Sequence, residues 1–301
     1  MRLLLRFVPC LVLAAPAQAH APGALDHAHP AWSWSFDPLV LVPALTLALL
    51  YAVGIARLWS RAGVGRGVPA WRAAACVAGL AALFGALVTP LDAAAEVSFA
   101  LHMAQHMLLI VVAAPLLALG NVGVVMLSGL PGRLRTSLGR VIASRPLRRL
   151  RGWLLALPVT TALHGVVVWL WHAPALYEAA LADPLVHYLE HLTMLGSGVL
   201  FWWSVTTAWW RAPLGHGGGV GALFLTMLHS GMLGILITLA PVPLYASYAT
   251  AAPLGSLSPL EDQQVAGIVM LAGGFAYLAA GLVLLASWLN PAPGAPDRRA
   301  S

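Results

Sequence analysis

Residues 97–120 read VSFALHMAQHMLLIVVAAPLLALG. The run carries no Asp, Glu, Lys or Arg, and as a helix it is long enough to cross the roughly 30 Å hydrocarbon core of a bilayer. Its longer polar side chains are His102, Gln105 and His106. Polar groups at membrane depth are costly and tend to face a bundle interior where they do something. Working outward, six further apolar stretches lie at about 38–59, 70–89, 153–172, 185–208, 218–240 and 264–289, and the central one extends over about 96–119. Backbone groups in lipid must be satisfied within the segment, and these runs are continuous rather than alternating. Helices are therefore expected, not barrel strands. The expected fold class is all-α: a polytopic membrane protein with a bundle of seven transmembrane helices after a signal peptide.

Composition points the same way. Of 301 residues, 60% are hydrophobic and 9% charged, where a soluble domain has about 25% charged residues. Mean hydropathy is +0.84. Those values exclude a water-soluble globular enzyme, a disordered chain and an ordinary nucleic-acid binder. All 16 basic residues are arginines. After the leader, Arg57, Arg61, Arg66 and Arg72 surround the first connection, and Arg133, Arg135, Arg140, Arg145, Arg148, Arg149 and Arg151 occupy the third. Arg211 follows the fifth stretch, and Arg298 and Arg299 end the chain. The alternate connections hold Asp26, Asp37, Asp92, Glu96, Glu178, Asp183, Glu261 and Asp262 and no arginine. Arginine-rich loops stay cytoplasmic, so the expectation is a multi-pass membrane protein with its N-terminus outside and its C-terminus cytoplasmic.

The remaining organisation follows. Residues 1–19 hold Arg2 and Arg6, a short apolar stretch and Ala17-Gln18-Ala19, the pattern of a cleaved signal peptide. Residues 20–37 form an outer, histidine-containing arm, 38–290 the transmembrane domain and 291–301 a cytoplasmic tail. Removing the leader removes Cys10 and leaves Cys76, so no intramolecular disulfide is expected. Glycine-rich 212–219 reads as a tight inner turn, and proline-rich 241–260 as an outer loop able to fold over the bundle. The basic 121–152 segment reads as an orientation signal that could lie along the inner surface.

The histidines carry the chemistry. His102 and His106 are spaced i,i+4 and share one helix face, as do His187 and His191. At 1.5 Å per residue all four fall within a few turns of the outer surface, where His172, Glu190 and Asp262 also lie, while His164 and His229 are nearer the middle. One histidine in a membrane helix is more often a packing residue; two such pairs at one depth point to a metal or heme site. The primary ligands expected are His102, His106, His187 and His191, with His172, His229 and Asp262 next and Met103 and Met194 alongside. Glu190 is expected to orient a histidine from behind the ligands. Imidazole suits several metals, and thioether selects Cu(I), so copper is favoured. Zinc on histidine and carboxylate, and heme on facing histidines, are the alternatives. His20, His27 and His29 could gather metal outside. No GxSxG, no oriented Ser–His pair and no phosphate-binding loop occurs, so no catalytic residue is assigned.

Several motifs stand together: His102-Met103-Ala104-Gln105-His106-Met107, Pro115 to Gly120, Leu170-Trp171-His172-Ala173-Pro174-Ala175-Leu176-Tyr177, His187-Tyr188-Leu189-Glu190-His191, Phe201-Trp202-Trp203 and Glu261-Asp262-Gln263-Gln264. Jointly they resemble the CtaG family of bacterial membrane proteins that assist cytochrome c oxidase assembly, which implies a place in the bacterial inner (plasma) membrane. Leu271-Ala272 departs from the family's pattern, which has Trp-Pro there. The resemblance implies a seven-helix assembly factor or metallochaperone, not an enzyme, acting on the copper centres of the oxidase. Its partners would be oxidase subunits or other copper-delivery proteins, in a lipid bilayer and with no nucleic acid. On the residues alone, a zinc-dependent intramembrane hydrolase and a heme-binding membrane protein stay open.

Overall fold

Proline in the first turn, often behind a capping oxygen, starts most helices of this chain. Asp37 accepts from the Leu39 amide ahead of Pro38, Thr89 caps Pro90, and Ser258 with Glu261 forms a capping box around Pro259. Proline has no amide hydrogen to lose at these positions, where a helix leaves its donors unpaired. The computed structural model describes residues 32–211, 215–250 and 256–290. The leader, the arm histidines His20, His27 and His29 and the C-terminal tail lie outside the described residues.

Among the described residues all regular structure is helical. The elements are α1 (Pro38–Ala62), α2 (Ala70–Leu87), α3 (Pro90–Ala95), α4 (Phe99–Met107), a π-helical turn (Leu108–Ala113) and α5 (Ala114–Leu119). Then come α6 (Val122–Gly129), α7 (Gly132–Ala143), α8 (Arg145–Leu154), α9 (Leu157–Trp171), α10 (Pro174–Ala182) and α11 (Pro184–Arg211). Last are α12 (Gly215–Leu239), α13 (Ala246–Thr250) and α14 (Pro259–Leu289). Among the described residues five segments are long and apolar enough to cross a membrane: α1, α2, Phe99–Leu119, Gly217–Leu239 and α14. The α8–α9 pair, bent by 62°, makes a sixth if it crosses as one.

Three features differ from the sequence expectation. The stretch read as 153–172 is broken at Leu155-Ala156, because Pro158 starts a new helix there. The stretch read as 96–119 is interrupted by the π turn, because Pro115 has no amide to give. The Ile110 carbonyl five residues back is served instead by the indole Nε1 of Trp202, at 3.0 Å. The glycine-rich segment expected as a turn is helical from Gly215, and Gly217 and Gly219 pack beside Trp288 and Leu284 of α14. Packing there outweighs the weak helix propensity of glycine.

Glycine also permits close helix crossings, that of α12 and α14 among them. A Cβ on Gly267 of α14 would collide with Thr238 Oγ1 and the Gly234 carbonyl of α12. Small residues that let backbones touch are a usual basis of helix association in lipid. The arginines of the opposite end do more than orient the chain. Arg57 donates to the carbonyls of Ser128, Gly129 and Leu130, and Arg72 to that of Leu119, serving the ends of α6 and α5. No residue of α7 or α8 is buried.

Candidate metal centre

The site lies at the end of the bundle where α4 and α11 begin and α9 ends. Ser98 caps α4, its Oγ accepting from the Leu101 amide. Asp262 of α14 accepts from Ser98 Oγ at 2.8 Å and from the Phe99 amide at 2.6 Å, a carboxylate placed where the helix dipole favours it. On the far face of α4, Gln105 donates to the Ala86 carbonyl and to Asp92. Trp171 Nε1 donates to Thr193 Oγ1, tying α9 to α11. These contacts fix the register in which the histidine faces meet.

Both i,i+4 pairs converge. The His102 and His106 Nε2 atoms are 3.0 Å apart. Ring centroids lie 5.4 Å apart for His102–His187 and His106–His191, and 4.3 Å for His187–His191. One donor atom each from His102, His106 and His191 lies within 4.8 Å of the others, and the same holds for His102, His187 and Glu190. His172 stands on the flank, its ring 6.3 Å from that of His106.

Glu190, expected to orient a histidine from behind, lies beside the facing rings of His102 and His106. Its oxygens are 3.9 Å from His102 Nε2 and 3.7 Å from His106 Nε2. The residue is fully buried, and neither oxygen has a hydrogen-bond partner. His106 Nδ1, His187 Nε2 and His191 Nε2 are likewise buried without one. Buried polar groups are nearly always paired. So many unpaired donors facing one another, imidazole and carboxylate together, fit a bound metal ion.

Two sequence candidates, Asp262 and His229, lie apart from the cluster. Asp262 is committed to the start of α4, as described. His229 sits by Gly165 of α9, whose added Cβ would come 3.3 Å from its Nε2. Met194 is buried in the core one turn beyond His191. Met103 does face a histidine, its Sδ being 3.4 Å from His172 Nε2. His164, expected deeper, bonds Ser197 and Tyr277 away from the cluster.

An aromatic cap was not foreseen. The described part of the connection after α12, residues 240–250, packs against the site and carries Tyr245 and Tyr248 three residues apart. Tyr248 OH donates to the Ala95 carbonyl at 2.7 Å and lies 2.7 Å from His102 Nδ1. A hydroxyl has one proton to give, so His102 Nδ1 carries its own and Nε2 presents a lone pair to the cluster. Burial pushes the Tyr248 phenol well above its ordinary value, which keeps that proton in place. Tyr177 stacks on Tyr245 and tilts over His102. The only sequence signal for this cap was aromatic residues at i,i+3 in a loop otherwise rich in proline and small residues.

Comparison with known proteins follows the same lines. An uncharacterized protein of Mycobacterium bovis and one of Mycobacterium tuberculosis are each 29% identical to this chain over 279 residues, covering 82% of it. The match covers 40% of each relative, so the chain spans less than half their length. No solved structure matches. The family model for cytochrome c oxidase caa3 assembly factors matches residues 49–290, and the chain belongs to that family.

Proposed function

We propose that this protein is a membrane assembly factor that holds copper as cargo for cytochrome c oxidase. The supporting observation is Glu190, a fully buried carboxylate with two unpaired oxygens set between His102 and His106. His102, His106, His187, His191 and Glu190 are the donors in this reading. Neutral imidazole and carboxylate bind the ion; Tyr248 holds His102 in the ligating tautomer; the tyrosine cap excludes bulk water. The protein binds and releases, with no bond made or broken in a substrate.

The proposal includes seven crossings. α11, with 28 residues, is long enough but carries His187, Tyr188, Glu190, His191 and its serines, threonines and tryptophans, which lower its apolar character. With α11 and the α9 half of the α8–α9 pair as crossings, and α8 with Arg145, Arg148, Arg149 and Arg151 along the inner surface, every described arginine falls on the cytoplasmic side. The metal centre then opens toward the outer face of the bacterial inner membrane, where oxidase subunits or copper-delivery proteins would meet it.

Deletion of the protein tests this role. Oxidase subunits should still be made but hold less copper, with lowered activity, under copper limitation. Normal copper content and activity in that strain would contradict it. Metal analysis and an absorption spectrum of purified protein separate copper from zinc and heme.

A further inference from the structure

His172 ends α9 beside the imidazole–carboxylate cluster, and its two ring nitrogens face different partners. Nδ1 lies 2.7 Å from the Val168 carbonyl oxygen. A carbonyl only accepts, so Nδ1 carries the proton and the neutral ring presents Nε2 as a bare lone pair. That lone pair faces Met103 Sδ at 3.4 Å. A thioether has no proton to offer. The contact is therefore not a hydrogen bond of a neutral ring.

Two proton-free donors thus meet in the interior, with Met103 fully buried and His172 6% exposed. A nitrogen about 2.1 Å and a sulfur about 2.3 Å from one ion at a tetrahedral angle stand about 3.6 Å apart, close to the 3.4 Å between His172 Nε2 and Met103 Sδ. Tyr245 OH holds the His172 backbone carbonyl at 2.9 Å, so the ring is fixed from two sides. Met103 lies between His102 and His106 in the sequence of α4, which joins this pair to the cluster. A thioether beside an imidazole is a soft donor set that selects Cu(I), whereas the carboxylate of Glu190 suits harder ions.

We infer that His172 and Met103 form a cuprous subsite on the flank of the cluster, making the centre selective for Cu(I) over Zn(II) and Cu(II). This rests on the metal-cargo reading above. It involves no electron transfer: copper enters and leaves as Cu(I).

The test uses full-length protein purified in detergent and loaded anaerobically with Cu(I) against a competing cuprous chelator. X-ray absorption of the wild type should show sulfur bound directly to copper. Met103→Leu should remove the sulfur signal and weaken Cu(I) binding roughly tenfold or more, by analogy with the loss of a supporting group, with Zn(II) binding unchanged. Leucine nearly conserves the volume, so the thermal midpoint should stay close to wild type, and the wild-type spectrum is informative whatever the variant does. Nitrogen and oxygen donors alone in the wild type would overturn the subsite and leave the cluster standing. So would wild-type Cu(I) affinity in Met103→Leu. A wild type that binds no copper would overturn both readings.

Discussion

Tyr248 and His102 come from segments 146 residues apart and meet through a 2.7 Å contact that decides which nitrogen of His102 is free to bind. The tyrosine belongs to the connection between α12 and α14, and the histidine to the first turn of α4. The cap therefore covers the histidine cluster and also sets the tautomer of His102.

Tyr248→Phe should weaken metal binding roughly tenfold or more, the usual cost of losing the group that fixes a ligating histidine. Its thermal midpoint should change little. Competition titration against a chelator, with a melting curve alongside, checks both. Unchanged affinity would show that the tautomer is set some other way.

Topology is open to reporter fusions. A reporter that works only outside the cytoplasm should be active when fused at Thr250 and silent when fused within 133–151. The motive is the one-sided arginine distribution and the seven-crossing proposal. Activity in the 133–151 segment would contradict both.

Asp92 gives a pH-dependent stability. Burial, opposed by hydrogen bonds from Gln105 and Ser35, raises its carboxyl from 3.8 to about 6. The folded state then holds the proton more tightly than the unfolded chain. This contribution to stability is fully present below the unfolded value and is lost as pH rises through about 6. Asp92→Asn, which keeps an oxygen for Gln105 Nε2, should stabilise the protein by on the order of 1–2 kcal/mol above that pH. The difference should vanish toward pH ~4. Thermal midpoints across that range decide it, and a pH-independent difference would sink the assignment.

Gly267→Ala should destabilise by about 1–3 kcal/mol through overpacking against α12. Gly221→Ala, whose added Cβ would meet nothing within 4 Å, serves as the neutral control. Denaturant melts in detergent compare the two.

Sequence spacing showed which histidines share a face, and the faces of His102/His106 and His187/His191 do meet. Spacing does not reveal what else will reach that face. Asp262 carries the same chemistry as Glu190, yet its oxygens go to Ser98 and the Phe99 amide across 164 and 163 residues of separation. No local pattern distinguishes a capping carboxylate from a ligand. Tyr245 and Tyr248 lie in a connection whose only signal was their i,i+3 spacing, too short a pattern to mark which way they face. The π turn was hidden because its cause, Pro115, and its remedy, Trp202, lie on different helices. The bend before α9 was legible in principle from Pro158, but the surrounding apolar run concealed it.

The most direct measurement is the metal content of purified wild type beside a His102→Ala/His106→Ala double variant, with His229→Ala as a histidine outside the cluster. The wild type and His229→Ala should hold copper stoichiometrically, and the folded double variant should hold none. Copper retained at the wild-type level by the double variant would contradict a centre built on α4 and α11.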